Sequence, residues 1–274
     1  MRITQDFKDW IDRKIERQDV INERTISEFD ATLSPHLFAQ GAAPLGIHWC
    51  LSPDIVNPDQ LGGDGHPKLG NFLPEIGLPR RMWAGGELKL HGQFKSGDVV
   101  QKQSVIADIS YKTGNSGNLC FIIVNHSYTV ADKVMLEERQ DIVYREATSA
   151  RVAHAPPPAV PEKSAWTVTP TSTMLFRYSA MTFNGHRIHY DDPYARHVEG
   201  YAGIVVHGPI QATLMLNLAA TILKQPPQTF SYRGVSPLIL SEPFYVDAKE
   251  ANDGLTLRTI SSAGVVTMTA TAAP

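Results

Sequence analysis

The chain has 274 residues, room for one large domain or two ordinary ones, and at that size folding buries roughly three-quarters of the unfolded surface without staples. Hydrophobic residues make up 42% and charged residues 19%, which excludes wholesale disorder. A formal net charge of -3 and only two cysteines, Cys50 and Cys120, argue against a nucleic-acid face, a polybasic membrane patch, a disulfide framework and a cysteine zinc cluster.

Residues 1–19 are charged and mixed, with no apolar signal core, and no apolar run approaches the ~20 residues that span a bilayer. A soluble, cytoplasmic protein with reduced thiols is expected. A helical stretch at 25–40 precedes a long irregular section. Strands are expected at 86–94, 99–111 and 119–130, separated by the hairpin signals Lys95-Ser96-Gly97-Asp98 and Thr113-Gly114-Asn115-Ser116-Gly117. The composition then shifts at 147–163, where Pro156, Pro157, Pro158 and Pro161 fall within six residues, a density that permits neither helix nor central strand and reads as a linker. Beyond it come a strand at 174–183 and a helix at 209–224, opened by Pro209 and stopped by Pro226 and Pro227. Further strands are expected at 228–235, 244–250, 255–260 and 265–270.

The 209–224 helix is apolar almost all round, with Gln211, Thr213, Asn217 and Thr221 as its polar residues, so it must be enclosed rather than laid on a surface. An enclosed helix followed by antiparallel strands is what a curved sheet wrapped around one helix requires. Two such units in tandem predict an α+β double hot-dog: an N-terminal hot-dog unit at 1–150, a Pro-rich linker at 151–164, and a C-terminal unit at 165–274. The 25–40 stretch is interrupted by Pro35 and far more polar than 209–224.

Residues 176–209 carry most of the chemistry. His186, His189 and His207 fall there, beside an Asn184-Gly185 turn and the start of the enclosed helix at Gly208-Pro209. Histidine is the side chain whose unperturbed pKa lies nearest neutrality. The unsatisfied N–H groups at a helix start suit a developing oxyanion. Together they suggest enolate chemistry, with a carbonyl oxygen at the helix start and a histidine moving a proton at the neighbouring carbon.

This stretch resembles the hydratase-2, or MaoC-like, motif of acyl-CoA hydratases. The motif's His falls on His189, its aliphatic residue on Ile188 and its helix-start glycine on Gly208, but its Asp falls on Asn184, its Asn on His186 and its Pro on Arg187. The chain is similar in this respect to the FAS1-like, type 2 acyl-thioester dehydratases, which include mesaconyl-C4-CoA and itaconyl-CoA hydratases. Residues 179–190 and 199–209 carry that likeness. So do Gly63-Asp64-Gly65-His66-Pro67, Asn71-Phe72-Leu73-Pro74 and residues 79–86 in the first half.

The resemblance implies a hydro-lyase without metal or organic cofactor, adding water to a C5-dicarboxyl enoyl-CoA such as itaconyl-CoA or mesaconyl-C4-CoA to give citramalyl-CoA. Alternatives are a 3-hydroxyacyl-thioester dehydratase of fatty-acid synthesis and a hot-dog thioesterase. Its partner is the acyl-CoA thioester, with no nucleic acid or membrane, in a homodimer, and the N-terminal unit is the degenerate, substrate-binding one, with which the polar 25–40 stretch agrees. His189 is then the general acid/base, Gly208 N–H the enolate donor, and Asn184 a holder of the water or the imidazole. Arg187, Arg80, Arg81, Trp83 and His207 are the substrate-binding candidates, the arginines for a free carboxylate that must be paired if buried. Arg187 stands equally open to an ion pair with Asp191 or to CoA phosphates, and His186 and His207 to core hydrogen bonding. Cys50 and Cys120 are expected to be inert, and Gly62–Gly65 lacks the Lys-Ser/Thr ending of a phosphate loop.

Overall fold

Antiparallel hairpins build most of the molecule. In the computed structural model, which describes residues 7–38, 41–114, 117–147 and 157–274, the first half contributes β1 (Lys14–Val20), β2 (Arg80–Leu90), β3 (Val99–Gly114), β4 (Gly117–Val130) and β5 (Lys133–Arg145). Their spatial order is β1-β3-β4-β5-β2. The second half contributes β6 (Trp166–Val168), β7 (Thr229–Gly234), β8 (Phe244–Ala251), β9 (Gly254–Ile260) and β10 (Val266–Ala273), ordered β7-β10-β9-β8-β6. Strand β2 also pairs with β7, from Gly85 opposite Arg233 to Lys89 opposite Thr229, so the two halves fuse into one ten-stranded sheet.

Among the described residues four α-helices accompany the sheet: α1 (Glu23–Leu33), α2 (Ser172–Met181), α3 (Asp192–His197) and α4 (Gly208–Leu223). Helix α4 is enclosed as its composition requires, packed against β7 to β10 with Leu214, Met215, Leu216 and Leu218 in the core. Each such side chain contributes about 1.5–3 kcal/mol of burial. Of its polar residues Gln211, Thr213 and Asn217 are buried and Thr221 is half-buried; Thr213 Oγ1 has no hydrogen-bond partner among the described residues, while the other three are bonded. Gln211 Oε1 accepts from Thr259 and Thr267 Oγ1 at 2.9 and 2.7 Å, and Asn217 Nδ2 donates to the Leu45 and Thr213 carbonyls.

Several segments depart from the sequence expectations. Residues 174–183 are aromatic enough to suggest a strand but form most of α2. Thr171 caps this helix by accepting from Met174 N–H, and the positions turned inward are Met174, Leu175, Tyr178 and Met181, a helical spacing. Helix α1 stops at Leu33 because the Ser34-Pro35 step cannot continue it, well short of 40, and residues 39–40 lie outside the described set. Strand β1 hides in the charged N-terminal segment: among the described residues it is a sheet edge paired with β3 alone, and edges favour charge. Strand β5 is masked by Glu137, Glu138, Arg139 and Asp141. It is joined to β4 by Ala131-Asp132, both at positive φ in place of the usual glycine-bearing turn.

The proline-rich segment is described from Pro157 onward, where Ala159 N–H donates to the Gly264 carbonyl at 2.7 Å, while residues 148–156 lie outside the described set. Turn residues Asn115 and Ser116 do likewise. Among the described residues no helix is long and apolar enough to cross a membrane.

Candidate active site

His189 ends a short 3-10 turn, Arg187–His189, and its side chain is 9% exposed. Its Nδ1–H donates to the Val205 carbonyl at 2.7 Å, a contact that fixes the tautomer and leaves Nε2 as the free basic nitrogen. One face of the ring lies on His207, centroids 3.6 Å apart. His207 is the cap residue of α4, so the stack sets the His189 ring beside the helix start. Gly208, first residue of α4, has an N–H with no acceptor inside the helix, as helix geometry dictates.

His189, Gly208, Asn184 and Trp83 all line a cavity of about 1100 Å³ at the junction of the two halves. The Trp83 ring closes over Gly208: a Cβ there would fall 2.7 Å from Trp83 Cε3. Burial pushes the His189 imidazole down to about 4, against the opposing pull of its bond to the Val205 carbonyl. It is therefore neutral near pH 7 and able to accept a proton. His207 is also held well below its ordinary value, by burial and by the charge of a protonated His189 so close by.

The first half supplies groups that the sequence reading quoted as motif without assigning a role. Gly65, at φ +90°, lies so close to the Gly185 carbonyl that a Cβ would overlap it at 1.9 Å. Arg187 N–H donates to the Asp64 carbonyl at 2.9 Å and its Nη1 to the Gly63 carbonyl at 3.0 Å. These contacts dock the 62–67 loop onto the turn that carries His186. As a result His66 faces His186 at 4.2 Å between centroids, and His186 meets His189 edge-on at 5.5 Å.

Asp64 grips His66 twice, accepting from its backbone N–H at 3.0 Å and from Nδ1 at 2.9 Å. Burial would raise the Asp64 carboxyl, but the His66 hydrogen bond and charge outweigh it and hold it at about 2. His66 itself is lowered, first by burial and then by Arg81, with Asp64 working the other way. Asp64, His66 and His186 are close enough to hold a metal ion, their ligating atoms lying within 4.8 Å of one another, although the Asp64–His66 bond already satisfies two of the three.

The five substrate-binding candidates separate. Arg187 does not line the cavity: it pairs with Asp191 through Nη2 at 2.8 Å and lies over the Tyr194 ring. Arg80 borders the cavity but is engaged by the Glu199 carboxylate and the Val198 and Glu199 carbonyls. Arg81 lines the cavity, its side chain has no hydrogen bond or ion pair among the described residues, and its charge is felt at His66 and His186. His207 sits behind His189, outside the cavity lining, with Nε2 on Ser179 Oγ at 2.9 Å, so it is a support for the His189 ring rather than a wall of the cavity. Trp83 stacks on Tyr232 at 4.5 Å and does form a wall.

Asn184 uses Oδ1 to accept from His186 N–H at 3.0 Å, which holds the turn, while its side chain borders the cavity. It makes no hydrogen bond to an imidazole among the described residues. The first-half sheet also contributes Lys102, Ser104, His126 and Gln140 to the cavity lining. Behind it lies buried Glu138, bonded to Trp49 Nε1 at 2.7 Å and Tyr128 OH at 3.0 Å. Because these polar residues come from alternate positions of separate strands, no local motif announces them.

Residues 46–240, well over half of the chain, match the profile of hydroxyacyl-thioester dehydratase type 2. The chain belongs to that family. Among curated relatives of this type 2 dehydratase is the mesaconyl-C4-CoA hydratase of Chloroflexus aurantiacus, 39% identical over 271 residues that cover 97% of each chain. Among solved structures, HtdX of Mycobacterium tuberculosis superposes with a TM-score of 0.68 at 16% identity, covering 95% of this chain and 99% of its own. A second Mycobacterium tuberculosis protein, described as having a double hotdog fold, superposes with a TM-score of 0.54 at 11% identity, over 96% of each chain. The architecture is thus the expected double hot-dog, and the protein is a hydro-lyase of the MaoC-like, type 2 dehydratase kind.

Proposed function

We propose that this hydro-lyase adds water to a C5-dicarboxyl enoyl-CoA such as mesaconyl-C4-CoA or itaconyl-CoA, giving citramalyl-CoA. The observation that carries the chemistry is the pairing of a neutral, oriented His189 with the free N–H of Gly208 in one cavity. The thioester carbonyl accepts from Gly208 N–H at the start of α4. His189 Nε2 takes a proton from water as its oxygen attacks the β-carbon, and the enolate that forms is held at the helix start, an effect of roughly 3–4 kcal/mol in comparable oxyanion sites. Asn184, at the cavity wall, is suited to hold the attacking water with its amide.

The substrate reading rests on the similarity to a mesaconyl-C4-CoA hydratase and on Arg81. A free carboxylate in a buried site needs a cationic partner. Arg187 and Arg80 are occupied by Asp191 and Glu199, so the carboxylate contact passes to Arg81. The two halves then divide the work: the first supplies Arg81 and Trp83, and the second supplies His189, Asn184 and Gly208.

The test is a panel of itaconyl-CoA, mesaconyl-C4-CoA and crotonyl-CoA, followed by loss of enoyl-thioester absorbance. Turnover of a dicarboxyl ester well above crotonyl-CoA is expected. Turnover of crotonyl-CoA alone would transfer the protein to the fatty-acid dehydratase reading, and release of free thiol would make it a thioesterase.

A further inference from the structure

We propose that His66, positioned by Asp64, is the second proton-transfer group of the site, delivering the proton to the α-carbon while His189 removes one from water. The inference rests on the hydratase reading above and identifies a group that reading lacks. Hydration needs two proton movements, one off water and one onto carbon. The position that would carry a carboxylate beside His189 is Asn184, whose amide is neither acid nor base and whose oxygen is committed to His186 N–H.

The structure places an intact carboxylate–imidazole pair nearby, on the other half of the chain. Asp64 Oδ2 receives His66 Nδ1–H at 2.9 Å, so His66 Nε2 is its remaining proton-carrying atom. His66 lines the same cavity as His189 and Gly208, while Asp64 stands behind it, outside the lining. The tight Gly65–Gly185 approach and the Arg187 bonds to Gly63 and Asp64 hold the loop against the second half.

The step balances. His189 Nε2 accepts a water proton as the O–Cβ bond forms, and the π electrons move to the Cα–carbonyl enolate. Protonated His66 gives its Nε2 proton to Cα, forming the C–H bond. His189 then returns a proton to solvent and His66 regains one, for a net addition of H₂O.

The groups facing His66 are Asp64 on its own loop, His186 and His189 on the opposing turn, Arg81 on β2, and Glu199 beyond α3. Arg81 disfavours its protonated form and Asp64 favours it. A substrate carboxylate on Arg81 offsets the first influence and leaves the second, so the dicarboxyl ester itself prepares His66 to be the acid.

The experiment uses the full chain with the hydroxyacyl thioester of whichever ester it turns over, in D₂O, measuring α-hydrogen exchange by mass alongside water elimination. His66→Gln is expected to lower turnover by about 10²–10⁴-fold and to abolish α-exchange, with thioester binding retained. Asp64→Asn offers an amide N–H to Nδ1, forcing the wrong tautomer, and is expected to move the high-pH limb of kcat to lower pH. It decides the question should His66→Gln fail to fold. Unchanged α-exchange in folded His66→Gln, or an unmoved limb in Asp64→Asn, overturns the proposal. So does a stoichiometric metal whose chelation stops turnover, which would make Asp64, His66 and His186 its ligands. A wild-type chain inert toward every thioester defeats the hydratase reading itself, a result distinct from a variant that turns over normally.

Discussion

His189 and His207 stack face to face, with ring centroids 3.6 Å apart and planes 16° from parallel. Two imidazolium ions cannot share that spacing in a buried site, so the pair remains neutral and His189 keeps a basic Nε2. His207 is fixed from behind by Ser179 Oγ, and its Nδ1 is buried without a partner. Ser179→Ala should therefore cost about 1–2 kcal/mol of stability, read from urea midpoints, by leaving a second buried nitrogen unmatched. KM should stay near the wild-type value, because His207 does not line the cavity.

Gly208→Ala separates the helix start from ordinary helix energetics. Near a helix end alanine is usually as good as glycine or better. Here the added methyl meets Trp83 Cε3 at 2.7 Å, so the indole must shift and the carbonyl site shifts with it. A loss in kcat of about tenfold or more with nearly unchanged melting temperature is expected. Full activity would separate Gly208 from the carbonyl site.

Arg81→Ala and Arg187→Ala should diverge. The first removes an unpaired cation from the cavity and should damage dicarboxyl-ester turnover far more than that of crotonyl-CoA. The second breaks an exposed pair with Asp191 and a clasp on the 62–67 loop, so any loss should fall on both substrates alike. Comparing kcat/KM ratios for the two esters checks this, and equal ratios for Arg81→Ala would remove the carboxylate assignment.

Acid should unfold the protein through its histidines. Burial pushes His48, His126 and His189 each down to about 4, so between about 6.5 and 4 the unfolded chain binds protons that the folded chain refuses. Stability is full above the unfolded value and falls as pH drops toward 4. Fully buried His48 and His189 each contribute on the order of 3 kcal/mol to that loss. Urea midpoints across this range should decline steadily, and a flat profile would contradict the burial of these rings.

The half of the fold that carries the hydratase-like motif was legible because its signals are local. A helix apolar almost all round and bounded by prolines marks α4, and the His189–Gly208 motif lies within twenty residues of chain. The first half was less so. Charge on the edge strand β1 and the two-residue Ala131-Asp132 turn before β5 hide the sheet's periodicity; in the second half, Phe176 and Tyr178 stand two residues apart in α2, a strand-like spacing in a short helix. For Arg187 the sequence left substrate carboxylate, CoA phosphate and Asp191 open, and the structure pairs it with Asp191 four residues on. Asp64 and His66 were visible as motif, yet their approach to His186 depends on two glycine loops interlocking across the chain, which no spacing rule encodes.

The account's central claim is that His189 drives water addition to a dicarboxyl enoyl thioester. Its most direct test is turnover of mesaconyl-C4-CoA by the wild-type chain and by His189→Gln side by side, with product identified by mass. The wild type should form the citramalyl thioester, and the variant, equally folded, should be slower by about 10²–10⁴-fold. Equal rates from the two proteins, or no hydrated product from either, would contradict it.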